Sequence, residues 1–122
     1  MEREKLNLRV SGRILIAEKI PAFREATAHI YLEDISHADA ESVIVAETSV
    51  VNIEHSERET EITFGLEIAD ESLINPKNLY SVRIWIDTNG DGKPSATDLY
   101  SDRAYRVLTR GFRDSVEIKI GF

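Results

Sequence analysis

The sequence contains no cysteine. That excludes disulfides, thiolate metal sites, cysteine nucleophiles and lipidation at a cysteine within these 122 residues. Prolines number three and glycines six, too few for a disordered or collagen-like chain. No apolar run approaches the roughly 20 residues that span a bilayer as a helix. The opening, Met1-Glu2-Arg3-Glu4-Lys5, lacks the apolar stretch of a signal peptide. The expectation is a cytoplasmic protein or one whose leader has been removed. Basic residues are outnumbered, 15 against 22 acidic, for a net charge of −7. They are scattered along the chain, so nucleic acid is a poor partner. The acidic balance favours cations over anionic lipid.

What is present points to strands. Apolar residues make up 42% of the chain, an ordinary globular share. Ile and Val together number 22 against nine Leu, and branching at Cβ suits strands better than helices. The dominant period is two. Leu6, Leu8 and Val10 alternate with polar residues, Gly12 interrupts, and Ile14 and Ile16 resume on the same side. This predicts a long strand with a bend or bulge near Gly12. Pro21 breaks the chain in a loop. Thr27–Ile35 is a second strand, and Ser36–Ser42 a connection or one helical turn. Val43–Ala46 and Val50–Ile53 read as two short strands parted by a kink at Glu47-Thr48-Ser49. Thr60–Ile68 alternates without fault, with Ile62, Phe64, Leu66 and Ile68 on one side. Ala69–Asn78 is a turn or short helix. Leu79–Ile86 turns Tyr80, Val82, Ile84 and Ile86 inward and Trp85 outward. Tyr100–Leu108 and Ser115–Ile120 complete the count, joined through Thr109-Arg110-Gly111. Seven to eight strands at short spacing, without an amphipathic helix, predict one all-β domain over residues 1–122. The expected form is an antiparallel two-sheet β-sandwich; a small closed barrel is the alternative.

One segment carries recognisable chemistry. Residues 87–98 place side-chain oxygens at loop positions one, three and five (Asp87, Asn89, Asp91). Gly92 follows at six, Lys93 at seven, Ser95 at nine and Asp98 at twelve. This is the spacing of an EF-hand-type calcium loop. Ca²⁺ takes six to eight oxygens at about 2.3–2.6 Å, and alternate residues of a tight coil point inward. Glycine at six permits the sharp turn that aims the Lys93 carbonyl at the ion. Asp at twelve resembles a dockerin loop more than a sensor EF-hand. Pro94 at eight departs from both, and a strand, not a helix, leads in. The expectation is a Ca²⁺ site made by Asp87, Asn89, Asp91, Lys93, Ser95 and Asp98, with a dissociation constant of about 10⁻⁵–10⁻³ M. The competing reading is that Asn89-Gly90 and Asp91-Gly92 are turn formers only.

Other groups read as structural. His29, His37 and His55 lack metal-ligand spacing. Glu33 and Asp34 point to opposite faces of a strand and cannot act as one carboxylate pair. The run 54–59 reads as a solvated loop. No nucleophile elbow or phosphate-cradling loop occurs. Trp85 packs over the second sheet face, or joins Tyr31, Tyr100 and Tyr105 in an aromatic patch.

In the order of these features the chain resembles the YbaY/YscW family of small bacterial β-sandwich proteins. That family includes lipoproteins and pilotin-type chaperones of type III secretion. Val10-Ser11-Gly12-Arg13-Ile14 resembles its opening motif. Ile20-Pro21, Ala26 and His29-Ile30-Tyr31-Leu32-Glu33-Asp34-Ile35-Ser36 resemble its second strand. Ala38-Asp39-Ala40, Ile44-Ala46-Glu47, Phe64 and Leu79-Tyr80-Ser81-Val82-Arg83-Ile84 follow in order. The resemblance implies the fold, a bacterial envelope or periplasmic setting, and no catalytic residues. The calcium loop and the missing leader and lipid-anchor cysteine depart from it. The first functional expectation is a non-enzymatic, monomeric, calcium-binding interaction module for a protein or envelope component. The alternative is an envelope or secretion-associated chaperone whose 87–98 loop is only a polar turn.

Overall fold

The computed structural model describes residues 8–37 and 39–122. Leu6, where the first strand was expected to begin, and Ala38 of the small-residue stretch lie outside the described residues. Among the described residues, eight strands form two sheets. They are β1 (Leu8–Ile16), β2 (Phe23–Asp34), β3 (Val43–His55), β4 (Thr60–Ile68), β5 (Tyr80–Asp87), β6 (Leu99–Tyr100), β7 (Arg106–Val107) and β8 (Ser115–Ile120). A 3₁₀ turn, Glu71–Leu73, sits between β4 and β5. One sheet has the order β4-β1-β8; the other runs β3-β2-β5-β6, with β7 also on β5. The architecture is a β-sandwich whose inner faces share one core. Val10, Ile14, Ile16, Leu66 and Ile118 from one sheet pack with Ala28, Ile30, Leu32, Val82, Ile84 and Ile86 from the other. All of these are fully buried, as the two-residue period requires.

Four local expectations are corrected. β1 does not bend at Gly12: its register with β4 and β8 runs unbroken through that residue. Glycine is there because space is short. A Cβ would lie 2.5 Å from the Val116 carbonyl oxygen and 2.7 Å from the Phe64 ring. β2 starts at Phe23, four residues early, because the irregularity around Glu25 (φ 59°) is a bulge within the strand, not a loop before it. β3 is continuous through Glu47-Thr48-Ser49, which pair with Tyr31, Ile30 and His29. Polar residues are tolerated there because β3 is an edge strand, half-exposed over most of its length. Its left-handed residue is instead Asn52 (φ 57°). Tyr100–Leu108 is not one strand. β6 and β7 are separate two-residue pairings, bridged by the Ser101 hydroxyl on the Ile84 N–H and by the Val82 N–H on the Tyr105 carbonyl.

One pairing departs from an antiparallel pattern: β8 lies parallel to β1, from Ser11↔Ser115 to Ile16↔Ile120. β1 ends at Ile16 and β8 begins at Ser115, with the whole other sheet between them, far more chain than a parallel connection needs. His55 is buried, with Nδ1 2.6 Å from the Thr60 hydroxyl and Nε2 3.0 Å from the Ile20 carbonyl. It pins the β3–β4 turn to the loop after β1.

Candidate functional site

The 87–98 loop grows from the end of β5. Asp87, the last strand residue, pairs with Thr27 and is 1% exposed. Its carboxylate turns back on its own loop. Oδ1 accepts from the Gly90 N–H at 3.1 Å and Oδ2 from the Gly92 N–H at 2.6 Å. Asn89 Oδ1 accepts from the Asp91 N–H at 3.3 Å, and Asp91 Oδ1 from the Lys93 N–H at 2.9 Å. Gly90 and Gly92 take left-handed backbone angles, which a Cβ would disfavour. Asp87, Asn89 and Asp91 are thus wound onto one coil, with alternate side chains capping the backbone ahead of them.

Asp98 closes on Thr88, the second residue of that coil, and on Trp85. It is buried, and Oδ2 accepts from Trp85 Nε1 at 2.9 Å and from the Ser95 N–H at 3.2 Å. Oδ1 accepts from the Thr88 N–H and hydroxyl, both at 3.1 Å. Burial pushes this carboxyl up, but the donors from Trp85, Thr88 and Ser95 together outweigh it and hold it below the usual carboxylate range. The Ser95 hydroxyl pairs with that of Thr97 at 3.0 Å, and Lys93 is exposed. Among the described residues, no three His, Asp or Glu side chains are grouped so as to hold a metal ion.

The outer face of the five-stranded sheet carries an array that sequence reasoning resolved only in part. Trp85 stacks on His29, its cross-strand partner, with ring centroids 4.4 Å apart and planes 17° from parallel. Tyr100 lies opposite Trp85 on the other side. In the next row the Arg83 guanidinium sits 4.4 Å from the centre of the Tyr31 ring. Arg83 Nε donates to Glu33 at 2.9 Å, and Glu33 also accepts from the Ser42 hydroxyl. Trp85 therefore covers the outer face, as its parity implies. Tyr31 and Tyr100 flank the same face. Tyr105 does not; its hydroxyl meets the backbone of Lys119 at 3.3 Å. His29 was missed because only strand pairing shows that it meets Trp85.

Among the described residues β3 has no partner on one side, since it ends its sheet. Val43, Ile44 and Val51 on it are 61%, 48% and 60% exposed. The 13-residue strand contains neither Lys nor Pro, the residues that commonly guard an open edge.

The fold is a two-sheet β domain with an ordered outer face and, among the described residues, an edge strand, β3, without a partner on one side. The chain belongs to the YscW family, described as type III secretion system lipoprotein chaperones, whose model matches residues 6–120. Among solved structures it is similar to an alternative pilotin from the type II secretion system of Vibrio cholerae. The two share 24% sequence identity and a TM-score of 0.71, over 96% of this chain and 99% of that one. At that identity the likeness speaks for the fold. No curated protein matches the chain in sequence. No helix among the described residues is long and apolar enough to cross a membrane.

Proposed function

We propose that this protein is a chaperone for an envelope component of a bacterial secretion apparatus. The family match over nearly the whole chain carries that reading. The open β3 edge supports it, because an unpaired strand with exposed apolar side chains can take a segment of a client through main-chain hydrogen bonds. The fold likeness to a pilotin agrees. The test is deletion and capture in the native host. Deletion is expected to lower the amount of one secretion component in the outer envelope, and crosslinking to the tagged chain is expected to recover the same component. Unchanged level and location of every secretion component in the deletion strain would reject the reading.

A second reading concerns the 87–98 loop, and the winding of Asp87, Asn89 and Asp91 onto one coil favours it. Under it, Ca²⁺ is held by these three residues and the Lys93 carbonyl, and Ser95 and Asp98 join them only if Asp98 gives up its hydrogen bonds to Trp85, Thr88 and the Ser95 N–H. Occupancy at about 100 times the dissociation constant is expected to add roughly 2.7 kcal/mol. Thermal unfolding in millimolar Ca²⁺ should then rise by several degrees over EDTA, with no such rise in Mg²⁺. Asp87→Ala or Asp91→Ala should abolish the rise. An identical midpoint in Ca²⁺ and EDTA would leave the loop as a self-capped connection.

A further inference from the structure

Although basic residues are spread through the sequence, three of them converge in the fold. Lys77, Arg106 and Arg110 line one hollow of about 540 Å³ together with Ser36, Leu79 and Phe112. None of the three forms an ion pair among the described residues. The carboxylates on the adjoining end of β2 are committed elsewhere. Asp34 accepts from Ser36 and Asn78, and Glu33 from Arg83 and Ser42. Arg106 Nε is buried and has no hydrogen-bond partner among the described residues. Arg106 as a whole is only partly buried, and its Nη atoms make no hydrogen bond among the described residues, so its guanidinium still has donors to offer an acceptor. That it stands among like charges, in a chain of net charge −7, makes the arrangement harder to explain as packing alone.

The backbone holds these cations in place. Arg106 is paired in register with Ser81, and its guanidinium lies 4.6 Å from the centre of the Phe112 ring. Arg110 Nη1 reaches the Lys77 carbonyl at 3.4 Å, and the Thr109 hydroxyl donates to the Asn78 carbonyl at 2.6 Å. The Leu108 N–H closes the loop on the Arg113 carbonyl at 2.9 Å. Beside the hollow, Phe112 is 46% exposed, and Arg113 next to it is exposed too.

We propose that this hollow binds the phosphate of an anionic phospholipid headgroup, with Phe112 entering the interface beside it. Guanidinium groups match phosphate oxygens in geometry and charge. Three cations exceed what one carboxylate needs, but suit a surface that presents many phosphates. An exposed aromatic ring flanked by arginines fits the boundary between water and acyl chains. A soluble anion would use the cations but not the exposed part of Phe112, whose ring otherwise packs on the Arg106 guanidinium. The acidic remainder of the surface is repelled by such a membrane, so docking has one orientation. The chaperone reading says nothing of this hollow and is not required for it.

Flotation with vesicles tests the proposal. The protein is expected to float with phosphatidylcholine vesicles containing phosphatidylglycerol, less so in high salt, and not with phosphatidylcholine alone. Lys77→Glu with Arg110→Glu should weaken binding roughly tenfold or more. Phe112→Ala should weaken it severalfold. Lys19→Glu with Arg58→Glu changes net charge equally, away from the hollow, and should bind better than the first pair. Arg110→Gln, an exposed single change, serves if the double variant does not fold. Equal loss in both charge-reversed pairs would overturn the site. Inorganic phosphate shifting the amide resonances of residues 106–112 without any vesicle binding would overturn the lipid assignment.

Discussion

Asp98→Ala is expected to destabilise the protein by about 2–4 kcal/mol, one of the largest effects of any polar substitution in it. The carboxylate accepts from the Trp85 indole, the Thr88 N–H and hydroxyl, and the Ser95 N–H. Alanine leaves the buried donors without an acceptor, and hydrogen bonds to a charged group are worth roughly 1.5–3 kcal/mol each before relaxation. It also frees Trp85, so the stack on His29 should loosen. Urea unfolding followed by tryptophan fluorescence reads both effects. Asp98→Asn keeps one acceptor oxygen and should lie between the two. The effect has a pH signature. The folded carboxyl titrates below its ordinary value. Its contribution is therefore at full strength above the unfolded value of about 3.9. It is lost as the pH falls through the lower folded value. The gap in urea midpoint between the natural protein and Asp98→Asn should be widest near neutrality and narrow in acid. A gap that stays constant into acid would mean the carboxylate charge is not what holds the loop.

Gly12→Ala is expected to cost about 1–3 kcal/mol, far more than an alanine normally does in a strand. The new Cβ would meet the Val116 carbonyl at 2.5 Å and the Phe64 ring at 2.7 Å. The ring can move; the carbonyl sits within the parallel β1–β8 pairing, where Gly12 is opposite Val116. Thermal unfolding should show a drop of several degrees per kcal/mol for a domain of this size. Adding Phe64→Leu removes the ring contact and should restore only part of the loss. Full restoration would show that the ring alone, and not the parallel pairing, demands the glycine.

Both positions show how far a linear pattern reaches. The alternation of Ile62, Phe64, Leu66 and Ile68, or of Tyr80, Val82, Ile84 and Ile86, marks strand and face at once, and these residues are buried as read. Gly12 also stood out, but as a presumed bulge, since a missing side chain in a strand signals either a bulge or a close approach. Telling these apart needs the neighbouring strands. Asp98 was legible as an oxygen at a calcium-loop position. Its partnership with Trp85 was not, because the two are 13 residues apart and meet only when the loop folds back on β5.

Composition and period alone determined the all-β class and most of the core, because burial on one face of a strand imposes alternation that no other element shares; the strand count agrees because the split read into β3 offsets the single strand read over β6 and β7. The family resemblance added the order of features. Tertiary structure decided the rest. It set β8 parallel to β1, left β3 as an open edge, joined His29 to Trp85, and brought Lys77, Arg106 and Arg110 to one hollow. Each of these depends on which strands become neighbours. That choice is made by the packing of two whole sheets, and no local run of residues records it.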